Sequence, residues 1–253
     1  ATDTNTGFPY DTTAPTISST APATDATVAN TNVSYTLDEA VASGTITFTR
    51  TGGTADGSSP HVQVLSGTEL NTGAHSDITL NDDPTLVDGT IYTIEFDVTD
   101  LAGNAATTVT NTGVTYDAGT QAPTLTTPAQ DSYDNATVAY EFTLAEAATA
   151  SSVILTFTRT GGSADANAPH AITFDYTTAA THSGTLVGGD LSTSANVDSV
   201  SSDTNDALVD GAVYSVQISY QDALGNTAAT HTNTGFTRDT TAPPISSTSP
   251  PTD

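Results

Sequence analysis

The apolar residues of this chain recur every second position. Tyr92, Ile94, Phe96 and Val98 alternate with Thr93, Glu95, Asp97 and Thr99, and Tyr214, Val216, Ile218 and Tyr220 alternate with Ser215, Gln217, Ser219 and Gln221. A period of two places one set of side chains on a buried face and the other in water, which predicts half-buried strands. Val33, Tyr35 and Leu37 form a second inward face, matched by Tyr140, Phe142 and Leu144. Ile46 and Phe48 form a third, matched by Leu155 and Phe157. The abundant Thr and Val are stiff at χ1 and suit a pleated surface. No segment carries the 3.6-residue period of an amphipathic helix. Turn signals at Gly52-Gly53, Asp88-Gly89 and Ala102-Gly103-Asn104 divide the first half into about seven strands. An all-β fold of two-sheet sandwiches follows.

The pattern itself is repeated. Thr4-Asn5-Thr6-Gly7 returns as Thr110-Asn111-Thr112-Gly113 and again as Thr232-Asn233-Thr234-Gly235. The first and last 25 residues align at an offset of 228, with 19 identities. The expected organisation is the last strand of one repeat (1–10), a complete domain (11–116), a second domain (117–238) and the start of another repeat (239–253). Paired landmarks set the alignment: Glu39 with Glu146, Arg50 with Arg159, His61 with His170, Asp88 with Asp210, Asp100 with Asp222. The second repeat is 16 residues longer, the difference between repeat spacings of 122 and 106. Most of the excess lies in 184–206, a polar stretch expected to form a long surface loop or an added hairpin.

Three segments resemble bacterial Ig-like domains. Leu86-Val-Asp-Gly89-Thr-Ile-Tyr92 and Leu208-Val-Asp-Gly211-Ala-Val-Tyr214 look like the approach to strand F in immunoglobulin-like and fibronectin type III sandwiches, with Tyr92 and Tyr214 at the tyrosine corner. Asp100-Leu-Ala-Gly-Asn104 and Asp222-Ala-Leu-Gly-Asn226 resemble the F–G hairpin of those domains. Asp11-Thr-Thr-Ala-Pro15 and Asp239-Thr-Thr-Ala-Pro243 resemble their linkers, while the middle linker, Asp117-Ala-Gly-Thr-Gln-Ala-Pro123, has two extra residues. The resemblance implies tandem domains of large bacterial surface proteins and adhesins.

Composition narrows the chemistry. The chain of 253 residues has 29 Asp+Glu against 3 Lys+Arg, a formal charge of −26, and no Cys, Met or Trp. Three cations cannot neutralise a nucleic-acid backbone or attach to an anionic bilayer. Disulfide and thiol chemistry are excluded. No apolar run reaches the ~18 residues of a membrane-spanning helix. Such self-repulsion suits a salty medium or a divalent cation.

In a seven-strand sandwich the entering linker, the B–C loop and the F–G loop share one pole. That topology gathers Asp11, Glu39, Asp100 and Asn104 in the first repeat, and Asp117, Glu146, Asp222 and Asn226 in the second. Carboxylates and amides without a local cation suit Ca²⁺, which takes 6–8 oxygen ligands. The resemblance to calcium-bound adhesin repeats further implies that the ion stiffens each junction. The competing reading is solvated loop acids with a turn Asn. Arg50 and Arg159 fall in phase with the inward residues at the far end of strand C, so pairs Arg50–Asp88 and Arg159–Asp210 are expected to close each core there.

No catalytic motif is present: there is no G-x-S-x-G, phosphate loop or H-E-x-x-H. His61 and His170 read as strand-edge residues, and the five histidines lack metal-ligand spacing. The expected function is a structural, secreted or cell-surface segment, a calcium-stiffened stalk or fibre whose partners are neighbouring repeats or other copies of the chain. A first alternative is a filament subunit that donates residues 1–10 as a strand to a neighbour. A second is a carbohydrate-binding module, although most aromatic residues fall on inward positions.

Overall fold

The computed structural model describes residues 10–201 and 206–244. They divide into two compact units between Gly119 and Thr120. In the first unit the alternating segments form β1 (Ile17–Ala21), β2 (Thr27–Val28), β3 (Val33–Leu37), β4 (Val41–Gly53), β5 (His61–Val64), β6 (Gly73–Ile78), β7 (Thr90–Asp100) and β8 (Val109–Tyr116). These make two sheets, β1-β3-β6 and β2-β8-β7-β4-β5. All pairings are antiparallel except β2 with β8, which run parallel.

Strand β7 shows how alternation builds the core. Tyr92, Ile94, Phe96 and Val98 are buried, and each intervening residue is half-buried. They meet Val33, Tyr35 and Leu37 of β3 and Ile46 and Phe48 of β4 in one hydrophobic cluster. Phe48 and Tyr92 pack edge to face, with ring centroids 6.5 Å apart, the arrangement the ring quadrupoles favour. The same phase carries Thr90 and Asp100 inside at the two ends of β7. Buried polar groups at strand ends need partners, and these two positions are where the domain's chemistry gathers.

The second unit repeats this plan with β9 (Thr124–Thr127), β10 (Tyr133–Asp134), β11 (Thr137–Thr143), β12 (Val153–Gly162), β13 (His170–Phe174), β14 (Thr181–Val187), β15 (Val197–Val200), β16 (Ala212–Tyr220) and β17 (Ala229–Arg238). Its sheets are β9-β11-β14 and β10-β17-β16-β12-β13-β15, again with one parallel pair, β10 with β17. Its cluster is larger and includes Phe142, Phe157, Phe174, Tyr214 and Phe236.

The residues that lengthen the second repeat do not make a hairpin. Segment 184–187 completes β14 in one sheet, a 3₁₀ turn follows at Leu191–Thr193, and β15 joins β13 in the other sheet. Leu191 and Leu208 are fully buried and fasten this crossover to the core. The first unit has no counterpart, so its β5 is an edge strand with Val62 and Val64 exposed. The expected partial repeats fall mostly on residues 1–9 and 245–253, outside the described residues. No helix among the described residues is long and apolar enough to cross a membrane.

Candidate functional site

Asp100 ends β7 in phase with the core and is 1 % exposed. Its Oδ1 accepts hydrogen bonds from the amides of Ala102 and Asn104, both at 2.8 Å, and its Oδ2 accepts one from Asn104 Nδ2 at 2.7 Å. Burial pushes its pKa up, but the bonds from Asn104, Ala102 and Gly103 outweigh that and hold it below the ordinary carboxylate range. Asp100 therefore stays ionised, as multiple amide donors make a carboxylate do. Glu39 follows β3, and Asp11 lies in the entering linker. One carboxylate oxygen from each of Asp11, Glu39 and Asp100 lies within 4.8 Å of the other two. The Glu39 pKa is raised, first by desolvation and then by the charges of Asp11, Asp100 and Asp38. Like charges at this spacing oppose one another, and among the described residues no cationic side chain is recorded beside Glu39.

Asn104 departs from its expected role as an oxygen ligand. Its Nδ2 faces three acceptors: Asp100 Oδ2 and the carbonyls of Asp11 and Thr13, each of the latter at 3.3 Å. Only the nitrogen end of the amide can serve acceptors, so Asn104 ties the linker to the F–G turn. In the second unit Asp222 repeats the arrangement. Its Oδ1 accepts from the amides of Leu224 and Asn226 at 3.0 Å, and its Oδ2 from Asn226 Nδ2 at 2.7 Å. Glu146 Oε1 accepts from the amide of Gln121 at 3.3 Å. Asp117, which corresponds to Asp11, belongs to the first unit, where its amide donates to the Val28 carbonyl at 2.9 Å.

The opposite pole corrects the expected arginine pairs. Arg50 is exposed, although it pairs with Tyr92 just ahead of the register shift at Gly52. Its Nε donates to the Thr54 carbonyl and its Nη2 to the Gly53 carbonyl, both at 2.8 Å. Arg159 does the same with Ser163 at 2.6 Å and Gly162 at 2.7 Å, beside an equivalent shift. Neither arginine meets its expected acid, because carbonyls three and four residues onward lie within shorter reach. Asp88 instead accepts the amide of Ala118 at 2.7 Å. Asp210 accepts the amide and hydroxyl of Thr240 and the hydroxyl of Thr241. These acids hold the chain as it leaves each domain.

What closes each core is a histidine–aspartate–tyrosine cluster that the sequence reading missed. Asp56 Oδ2 lies 2.6 Å from His61 Nε2 and accepts the Tyr92 hydroxyl at 2.7 Å. The Tyr92 oxygen in turn accepts the Val87 amide at 3.1 Å. In the second unit Asp165 Oδ2 lies 2.8 Å from His170 Nε2 and accepts the Tyr214 hydroxyl at 2.6 Å, and the Tyr214 oxygen accepts the Val209 amide at 2.9 Å. Each of these tyrosines thus joins an upstream backbone amide to an acid partner through its hydroxyl. A signal was available: D-x-x-x-P-H occurs as Asp56–His61 and again as Asp165–His170. So many acids surround these two that neither was singled out. The cluster holds no nucleophile, and its role is to satisfy buried polar groups.

Residues 11–118 match the bacterial Ig-like domain family, which covers the first of the two units. Comparison with curated proteins finds no match.

Proposed function

We propose that this chain is a non-catalytic, extracellular structural segment, in which successive bacterial Ig-like sandwiches space and stiffen a surface protein or fibre and Ca²⁺ sets the stiffness. The family match over residues 11–118 supports the structural role. The observation that carries the ionic part is the convergence of Asp11, Glu39 and Asp100 with a raised Glu39 pKa.

The donor set fits a hard divalent cation. It offers carboxylate oxygens alone, and one of the three is kept ionised by its amide donors, as oxygen-seeking Ca²⁺ requires. Asp11, Glu39 and Asp100 would hold the ion in the first repeat. By repeat correspondence, Glu146 and Asp222 would contribute to such a site in the second. When bound, the ion supplies charge neutralisation. The chain's own residues do the rest: Asn104 fixes the linker against the F–G turn, and Asn226 orders the corresponding turn. Linker, B–C loop and F–G loop then move as one body. Neighbouring repeats, or other copies of the chain, are the partners of such a segment, and a secreted or cell-surface setting supplies millimolar calcium.

Thermal unfolding across a calcium titration tests this, with magnesium and matched monovalent salt as controls. Ligand that binds only the native state at 100 times its Kd adds about 2.7 kcal/mol. The expected result is a calcium-specific rise in midpoint that Glu39→Gln abolishes for the first unit. The same substitution should raise the calcium-free midpoint. Glu39 has a folded pKa above its unfolded one, so ionising it as pH rises costs stability. An equal response to sodium overturns the ionic part and leaves a spacer with a solvating acidic coat.

A further inference from the structure

The sequence Asp-Thr-Thr-Ala-Pro occurs twice, as Asp11–Pro15 leading into a domain and as Asp239–Pro243 leaving one. Both copies adopt the same turn. The Thr13 amide donates to Asp11 Oδ1 at 2.9 Å, and the Thr241 amide donates to Asp239 Oδ1 at 3.0 Å. What grips them differs. Ahead of the first unit, Asn104 Nδ2 donates to the carbonyls of the first and third residues of the segment. Beyond the second unit, Asp210 Oδ1 accepts the amide and hydroxyl of the second residue, Thr240, at 2.6 and 2.7 Å, and its Oδ2 accepts the hydroxyl of the third, Thr241, at 2.9 Å. The domain behind uses only the segment's donors, the domain ahead uses only its acceptors, and no atom serves both. After the first unit, Asp88 takes the Ala118 amide in the same way, with the hydroxyl missing.

We propose that Asp-Thr-Thr-Ala-Pro is a two-sided connector: between two repeats of this kind, the aspartate at the Asp210 position of the leading one and the asparagine at the Asn104 position of the following one grip the same segment at once. The partner that fits Asp11–Pro15 is therefore the carboxyl-terminal pole of another repeat bearing an acid at the Asp210 position. The partner that fits Asp239–Pro243 is an amino-terminal pole bearing Asn at the Asn104 position. Proline fixes its own φ, and the alanine before it is confined to extended backbone, so the two grips need to immobilise only the three residues ahead of them. These grips are hydrogen bonds and need no metal, so any stiffening by an ion adds to theirs. This rests on the tandem reading above but not on its calcium.

The test joins two full copies so that residues 1–243 of the first run directly into residues 16–253 of the second, sharing one such segment. The chain has no cysteine, so Gln217→Cys in the first copy and Thr110→Cys in the second give two unique spin-label sites on exposed positions. Pulsed electron paramagnetic resonance then reads the distance distribution in EDTA. A narrow distribution is expected. It should broaden toward the ~12 Å spread of a free five-residue linker with Asp210→Ala in the first copy or Asn104→Ala in the second. Thr240→Val with Thr241→Val alters only exposed hydroxyls and should also broaden it, which guards against a folding defect in the other variants. A distribution already broad in EDTA, or one that these substitutions leave unchanged, overturns the connector. If it is broad in EDTA and narrows only with calcium, the connector fails and the ionic reading stands. A narrow EDTA distribution with no calcium effect on midpoint leaves the connector and removes the ion.

Discussion

His170 and Asp165 have no solvent-exposed side-chain surface, and Nδ1 of the histidine has no partner among the described residues. Asp165 is thus the group on which His170 and the Tyr214 hydroxyl both depend. Burial raises its pKa, yet the bonds from Tyr214 and His170 prevail and keep it low. Asp165→Asn can still accept, but it loses the charge-assisted bonds. It should cost the second unit about 1–3 kcal/mol, read by urea unfolding. In the first unit Asp56 sits at a pKa of about 2, held there chiefly by His61 and then by Tyr92. A depressed carboxylate contributes stability that is present above its unfolded value and lost as pH falls through its folded one. Acid should therefore weaken the first unit progressively from about pH 4 to pH 2, and Asp56→Asn should flatten that part of the profile. The paired acids at the linker pole were legible because topology and repetition both pointed to them. The arginine pairs were misread because backbone carbonyls of the turn just beyond each arginine take its guanidinium, and a period-two pattern carries no sign of them.

At the scale of elements, the long antiparallel pairing of β4 with β7 depends on glycine at one point. Gly53 has φ +65°, and a Cβ there would run into the Gly89 carbonyl. Gly162 has φ +63° and meets the Gly211 carbonyl in the same way. Gly53→Ala should destabilise the first unit by more than 1 kcal/mol, roughly the range for strained backbone, with Gly57→Ala, which meets nothing, as the control. The long strands were readable from alternation. The short ones were not: β2 and β10 have two residues each, and β15 carries apolar residues only at its two ends, in a polar insertion. Its partner strand β13 is a long-range neighbour, and pairing of that kind leaves no local trace. Shielding β13 also changes a hazard, because an open edge invites a foreign strand. Deleting β15 should promote self-association of the second unit, measurable by sedimentation.

For the whole molecule, a formal charge of −26 means that screening alone should stabilise both units. Monovalent salt is expected to raise both midpoints together, whereas an ion at the linker pole responds to Glu39 and Glu146 separately. One feature common to the units bears on how they would respond to tension. In each, the short second strand lies parallel to the last one, β2 beside β8 and β10 beside β17. The Asp25, Thr115 and Asp117 amides bond to the Thr112, Ala26 and Val28 carbonyls in the first unit, and the Asp131, Thr237 and Asp239 amides to the Thr234, Ser132 and Asp134 carbonyls in the second. Parallel neighbours point their free ends in opposite directions. A pull along the chain therefore drags the two strands past each other, and every bond between them must give in the same instant. An antiparallel pair pulled from one end would open bond by bond, like a zip. Each sandwich is accordingly wired to yield under force all at once or not at all.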